Sequence, residues 1–272
     1  MSLFSKNKIG LALSSGGAKG LAHIGVIKSL VKNNIPIDFI AGSSAGSLIG
    51  GLYAATKDIE KIEKIAKKLT YKDLIKIFYD PSLKSGLITG NKTIQFLEDN
   101  FGKYTIKKLK IPFKAIATDI ISGKTIAINS GNLAKAIRAS SSIPFLYQPI
   151  KYGKYYLIDG GTSCPMPVDI VKDMGADKII AVNLEGYSFK KKIYKKFKKI
   201  SVITTLKSTL NLMLHHLSRG NLEKADITIT PEITNVPLTK FVNGEDLISI
   251  GEKATETIID DIKKLTKKIN IF

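Results

Sequence analysis

Within its first 56 residues the chain twice runs from an apolar strand, through a cluster of glycine and serine, into a helix. Ile9-Gly-Leu-Ala-Leu13 reads as a buried strand and Ser14-Ser-Gly-Gly-Ala-Lys-Gly20 as a turn. Leu21 to Asn33 reads as a helix with Leu21, Ile24, Ile27, Leu30 and Val31 on one face. Ile35 to Ala41 repeats the strand, Gly42 to Gly46 the turn, and Ser47 to Thr56 the helix. This alternation leaves few topologies. Crossovers between such strands are right-handed, the strands are parallel, and the helices cover the sheet. The expectation is an α/β fold of three layers, α/β/α, with a mainly parallel central sheet.

Later segments add to this frame. Asp58 to Phe78 is helical and ends in a loop at Asp80-Pro81, and Lys114 to Ile128 reads as a hairpin around Ser122-Gly123. A helix from Asn132 to Ala139 leads into Ser140-Ser-Ser-Ile-Pro144. Tyr155 to Ile158 and Lys178 to Val182 are strands flanking a helix at Val168 to Met174, and Asp246 to Lys268 is helical. Without an internal repeat or a clear linker, the economical reading is one domain over 1–272. Its motif-bearing core spans about 9–182 and its C-terminal helical part about 200–272.

Two of the turns carry chemistry. Gly42-Ser-Ser-Ala-Gly46, between a strand and a helix, has the Gly-x-Ser-x-Gly spacing of a nucleophile elbow. A sharp turn there holds the Ser44 hydroxyl clear of the sheet, over the positive end of the helix. The bland alternative is a Gly/Ser connector, and the strand-to-helix setting favours the elbow. Ser14 to Gly20 admits three readings. A dinucleotide fingerprint would need a glycine at Ser15 and an acidic residue at a strand end, and Asp38 stands near a strand start. A bare turn is the second. The third is an oxyanion hole of backbone N–H groups, the most coherent with an elbow one crossover away. Gly123-Lys124-Thr125 mimics the end of a P-loop, but the first glycine would fall at Thr118 and the segment reads as a hairpin.

Leu157-Ile-Asp-Gly-Gly161 ends a strand in a carboxylate. By itself it fits a catalytic Asp159 and a plain Asp-Gly turn equally. Only three histidines exist. His215 and His216 lie in the stripe of Leu206, Leu210, Met213, Leu214 and Leu217, on a helix and not on a loop at a strand end. His23 falls at the start of the helix after the first glycine turn. A Ser-His-Asp triad is therefore not expected. For the stripe itself, core packing is the default, with a lid or a subunit contact as alternatives.

Composition closes off several classes. Hydrophobic residues make up 44% and charged residues 24%, ordinary for a globular enzyme. The single cysteine, Cys164, leaves no intramolecular disulfide. The polar first residues do not resemble a secretory signal, and no apolar run approaches the roughly 18 residues of a membrane span. A cytoplasmic protein is expected, soluble or peripheral on a membrane. The net charge of +19 suits polyanions, yet only Arg138 and Arg219 are arginines. A nucleic-acid reader uses arginine for bidentate contacts, so no nucleic acid is expected. Tyr187 to Ile200 has seven lysines interleaved with aromatics. It fits an anionic membrane surface or a solvated excursion, and both readings stay open.

Taken together, these segments resemble the patatin-like phospholipase family, in its small bacterial form. Ser14 to Val26 is similar to the family's glycine-rich oxyanion segment, Gly42 to Gly46 to its elbow, and Asp159-Gly-Gly161 to its Asp-Gly-Gly motif. Ala117-Thr-Asp119, Arg138 to Pro144 and Pro165 to Val168 add to the match, which runs from about Ile9 to Val182. The resemblance implies Ser44 as acylated nucleophile, Asp159 as its partner, and Gly16, Gly17 and Ala18 as oxyanion donors. Ser15, Lys19, Gly20, Gly42, Gly46, Gly160 and Gly161 would support them. It implies hydrolysis of phospholipid, lysophospholipid or simpler fatty-acyl esters, without metal or cofactor. Ser15 departs from the family's usual glycine, which puts the shape of the hole in question. Rival readings are a thioesterase or acyltransferase with the same dyad, and a non-catalytic lipid-binding protein. A homodimer stays open.

Overall fold

A computed structural model describes residues 6–78, 80–81, 88–186, 202–233 and 244–267. The first crossover unit comprises β1 (Ile9–Leu13), α1 (Ala22–Lys32), β2 (Phe39–Ser43) and α2 (Ala45–Thr56). Three helices follow: α3 (Ile59–Lys68), α4 (Tyr71–Phe78) and α5 (Asn91–Phe101). The middle of the chain supplies β3 (Phe113–Asp119), β4 (Thr125–Ile128), α6 (Leu133–Ser140), β5 (Ile150–Tyr152) and β6 (Tyr155–Asp159). Last come α7 (Val168–Lys172), β7 (Lys178–Val182), α8 (Val202–Leu222), β8 (Ile227–Ile229), α9 (Gly244–Glu256) and α10 (Ile259–Leu265).

The strands join in one mixed sheet ordered β5-β6-β3-β2-β1-β7-β8, with β4 also on β3. The row β3-β2-β1-β7-β8 is parallel, and β4, β5 and β6 are antiparallel additions at one side. Alternation along the strands separates two cores. Leu11, Leu13, Ile40, Ile180 and Val182 share one core with α1, α2, α6 and α9. Ala12, Ala41, Ile179 and Ala181 share the other with Val168 and Val171 of α7. Small residues on this second side let α7 lie close; a Cβ on Gly10 would stand 2.1 Å from Val171 Cγ1. Charge also pins a helix: buried Glu63 of α3 takes Lys28 of α1 at 2.7 Å and Lys67 at 2.8 Å.

Several expectations shift. The strand read from Ile35 begins at Phe39, because the chain first closes α1: Ile35 N–H donates to Leu30 O over 2.9 Å, with Asn34 at φ 56°. The long helix from Asp58 breaks between Lys68 and Tyr71, and the C-terminal one between Glu256 and Ile259. Helix α5 and strands β5 and β8 carried no expectation. The stripe on α8 is not core along its length. Met213 and Leu217 are exposed, Leu214 is half-buried, and the side chains of Leu206 and Leu210 lie outside the described residues. Tyr187 to Ile200 lies outside them as well. No helix among the described residues is long and apolar enough to cross a membrane.

Candidate active site

Parallel strands end together, so the turns after β1, β2 and β7 and the hairpin of β3 gather at one edge of the sheet. Ser44 occupies the turn between β2 and α2 with φ 50° and ψ −116°, a left-handed conformation that costs a non-glycine residue about 1–3 kcal/mol. Gly42 and Gly46 permit it by close approach. A Cβ on Gly42 would meet Gly46 C at 2.3 Å, and one on Gly46 would meet Leu13 O at 2.3 Å. Backbone would have to move in either case.

Asp159 arrives from the other direction, at the end of antiparallel β6, which pairs it with Ala117. Ser44 Oγ donates to Asp159 Oδ2 over 2.7 Å, and Gly161 N–H donates to Asp159 Oδ1 over 2.8 Å. The carboxyl group is buried, and that burial raises its pKa from 3.8 to about 6, against the opposing pull of those two hydrogen bonds. Gly160 is needed at this turn because a Cβ would stand 2.1 Å from Ile116 O. Leu214 of α8 covers the turn: a Cβ on Gly161 would lie 2.9 Å from its Cδ2.

The segment Gly16 to Gly20 opens a short 3-10 turn, Gly17–Leu21. Ser15 N–H is taken by Pro165 O at 2.9 Å and Lys19 N–H by Gly16 O at 3.1 Å. The first N–H groups of a helical turn have no intrahelical acceptor, which suits Gly17 and Ala18 to an incoming anion. Lys19 does not serve as a free charge here. Its Nζ pairs with Glu185 Oε2 at 3.1 Å, both side chains buried, and so ties the glycine turn to the loop after β7. Gly20 packs on the elbow, with a Cβ placed 2.4 Å from that of Ala45. The Ser15 hydroxyl is buried without a hydrogen-bond partner.

Each histidine is accounted for elsewhere. His23 Nε2 lies 2.9 Å from Ser14 O, and complete burial lowers its pKa from 6.5 to about 4. It is therefore neutral near pH 7, with Nε2–H donating to that carbonyl. His215 Nδ1 lies 3.3 Å from Glu185 O, and His216 is exposed. No cluster of His, Cys, Asp and Glu among the described residues is arranged to hold a metal.

Residues without an assigned role in the sequence reading turn out to support both sides of the pair. Ser140 Oγ accepts Ser44 N–H over 2.9 Å and donates to Ile116 O. Ser142 O accepts Asp159 N–H over 2.9 Å, and Thr118 Oγ1 donates to Asp159 O over 3.0 Å. Buried Arg138 bonds Thr89 O, Gln148 O and Ser142 Oγ and stacks 4.5 Å from the Tyr147 ring centroid. Arg138, Ser140 and Ser142 come from one segment that the resemblance had singled out. Glu185 had no sequence signal beyond following a strand.

The family model for patatin-like phospholipase matches residues 11–172. An uncharacterized NTE family protein of Mycobacterium bovis is 39% identical over 183 residues, which is 67% of this chain and 50% of that protein. The neuropathy target esterase of Drosophila melanogaster is 32% identical over 65% of this chain and 13% of its own length. A lysophospholipase of Debaryomyces hansenii is 35% identical over 67% and 12%. The chain thus spans half the length of the mycobacterial relative and a small part of the others. Among solved structures, VipD from Legionella pneumophila shares the fold, with a TM-score of 0.56 at 16% identity over 94% of this chain and 67% of that one. With the model matched across the glycine turn, the elbow and Asp159, this chain belongs to the patatin-like phospholipase family.

Proposed function

We propose that the protein hydrolyses fatty-acyl esters of phospholipid or lysophospholipid type, through an acyl-enzyme on Ser44 with Asp159 as its base. The observation that carries this reading is the 2.7 Å bond from the Ser44 hydroxyl to a buried carboxylate, whose other oxygen is held by a backbone N–H. The relatives named esterase and lysophospholipase support the substrate class.

In the first half-reaction Ser44 Oγ attacks the ester carbonyl carbon while its proton passes to Asp159 Oδ2. Charge developing on the carbonyl oxygen is met by the N–H groups of Gly16, Gly17 and Ala18. Collapse breaks the bond to the alcohol, whose oxygen takes the proton from Asp159, and leaves the acyl group on Ser44. Water then attacks the acyl carbon and gives its proton to Asp159. Collapse returns that proton to Ser44 Oγ and releases the acid. A carboxylate is a weak base in water, and a pKa raised toward 6 brings it nearer the task.

Intact mass after treatment with a fluorophosphonate tests the centre of this reading. One adduct is expected on the wild type and none on Ser44→Ala. An unmodified wild type, or an adduct that persists on the variant, overturns it.

A further inference from the structure

We propose that the tip of the β3–β4 hairpin, with the first residues of β6 beside it, docks this enzyme on the surface of an anionic phospholipid bilayer. Ile121 is 79% exposed, and Ile120 and Tyr156 are about half exposed. The three lie together: Ile120 N–H donates to Tyr156 O over 2.9 Å, and Ile121 follows in the chain. Large apolar side chains gathered at a solvated tip mark a surface that meets a partner. The tip is also stiff. One carboxylate oxygen of Asp119, the last residue of β3, accepts Ser122 Oγ over 2.6 Å and Ser122 N–H over 3.2 Å. The other accepts Tyr156 N–H over 3.1 Å. Gly123, at φ 69°, returns its N–H to Asp119 O over 2.8 Å. The isoleucines are therefore held in place before a partner arrives, and little ordering entropy is lost on contact.

Charge decides the occupant. From Ile120 to Thr125 and from Ile150 to Ile158 the charged residues are Lys124, Lys151 and Lys154, all exposed, and no acid stands in either stretch. An aliphatic tip ringed by ammonium groups matches an anionic bilayer in both its layers. The isoleucines enter among the acyl chains while the lysines stay with the head groups. Position agrees with this. Asp119 pairs with Leu157 and Ala117 with Asp159, so Tyr156 stands about 10 Å along β6 from Asp159. A second exposed apolar pair flanks the same carboxylate. Phe145 and Leu146 follow Ser142, whose carbonyl accepts Asp159 N–H, and Phe145 is 79% exposed. Its φ of 68° is a left-handed backbone that aromatic residues rarely adopt. The choice of a bilayer rests on the reading of Ser44 and Asp159 as a lipid hydrolase site, whereas docking itself needs no turnover.

Co-sedimentation of the whole chain with vesicles tests the proposal. The wild type should bind vesicles of phosphatidylglycerol and phosphatidylcholine in equal parts, and bind pure phosphatidylcholine about tenfold more weakly or less. A variant carrying both Ile120→Ser and Ile121→Ser should lose affinity for the mixed vesicles on the order of a hundredfold, about tenfold for each side chain withdrawn from the acyl layer. A variant carrying Lys124→Gln and Lys154→Gln should lose roughly fivefold per lysine and show a weaker dependence on salt. Thermal unfolding verifies that both variants remain folded. A wild type that does not bind the mixed vesicles overturns the proposal, as does an isoleucine variant that binds them like the wild type. Equal binding to both vesicle types overturns the anionic assignment. A dimer in sedimentation velocity that the isoleucine variant loses would give the tip to a second copy of the chain and overturn it too. A chain that binds the mixed vesicles through the isoleucines but takes no fluorophosphonate on Ser44 keeps the docking surface and loses the hydrolase reading.

Discussion

Ser140 Oγ accepts the backbone N–H of Ser44 over 2.9 Å and passes its own proton to Ile116 O. This side chain holds the strained turn from below. It also occupies the Ser44 N–H, so that group is not free to meet an oxyanion.

Ser140→Ala should therefore lower kcat about tenfold and stability by about 1–3 kcal/mol, since two buried backbone groups lose their partner. Initial rates and chemical denaturation measure the two effects. A variant with wild-type values in both would show that the turn needs no such support.

Asp159→Asn should lower kcat at least a thousandfold, the scale lost when a nucleophile's base is removed. It should not destabilise the fold. Between pH 3.8 and about 6 the folded chain binds a proton at Asp159 that the unfolded chain does not, so this group's contribution falls as pH rises through that window. At neutral pH the ionised, buried carboxylate costs on the order of 3 kcal/mol, and a neutral amide escapes that cost. Thermal unfolding at pH 7 should give a Tm at or above that of the wild type. A drop of several degrees would make Asp159 a structural residue first.

The same raised pKa predicts the pH profile. Attack needs the carboxylate, so kcat/KM should climb about tenfold per pH unit below 6 and level off above it. A flat profile between pH 5 and 8 would contradict a buried Asp159 base.

His215→Ala and His216→Ala should keep kcat/KM within about threefold, because neither ring bonds the Ser44–Asp159 pair. A hundredfold loss in either would restore a histidine-dependent mechanism.

Glu185→Gln removes the carboxylate that Lys19 pairs with at 3.1 Å, and breaking a buried pair from one side costs up to about 3–5 kcal/mol. The loss should show in unfolding midpoints. Since the pair anchors the glycine turn, kcat should drop with it. A variant of wild-type stability would mean that the pair does not hold the loop.

What the sequence determined by itself was local. Strand-to-helix alternation around Gly42–Gly46 and Ser14–Gly20 was legible because periodicity and glycine placement are properties of neighbouring residues, and β1 and β7 appear with the expected ends. Asp159 was visible as a carboxylate at a strand end but stood even with a plain turn. Tertiary structure decided the rest, since it depends on residues far apart in the chain. Antiparallel β6, placed beside β3, carries Asp159 across 115 positions to Ser44. Burial then lifts its pKa, a property of surroundings that no single residue type encodes. The partner of Lys19 was equally hidden, because Glu185 reaches it only when β1 and β7 lie side by side. The exposed face of α8 shows the limit from the other direction: its apolar stripe promised burial, and whether such a stripe meets a neighbour is settled by packing and not by spacing.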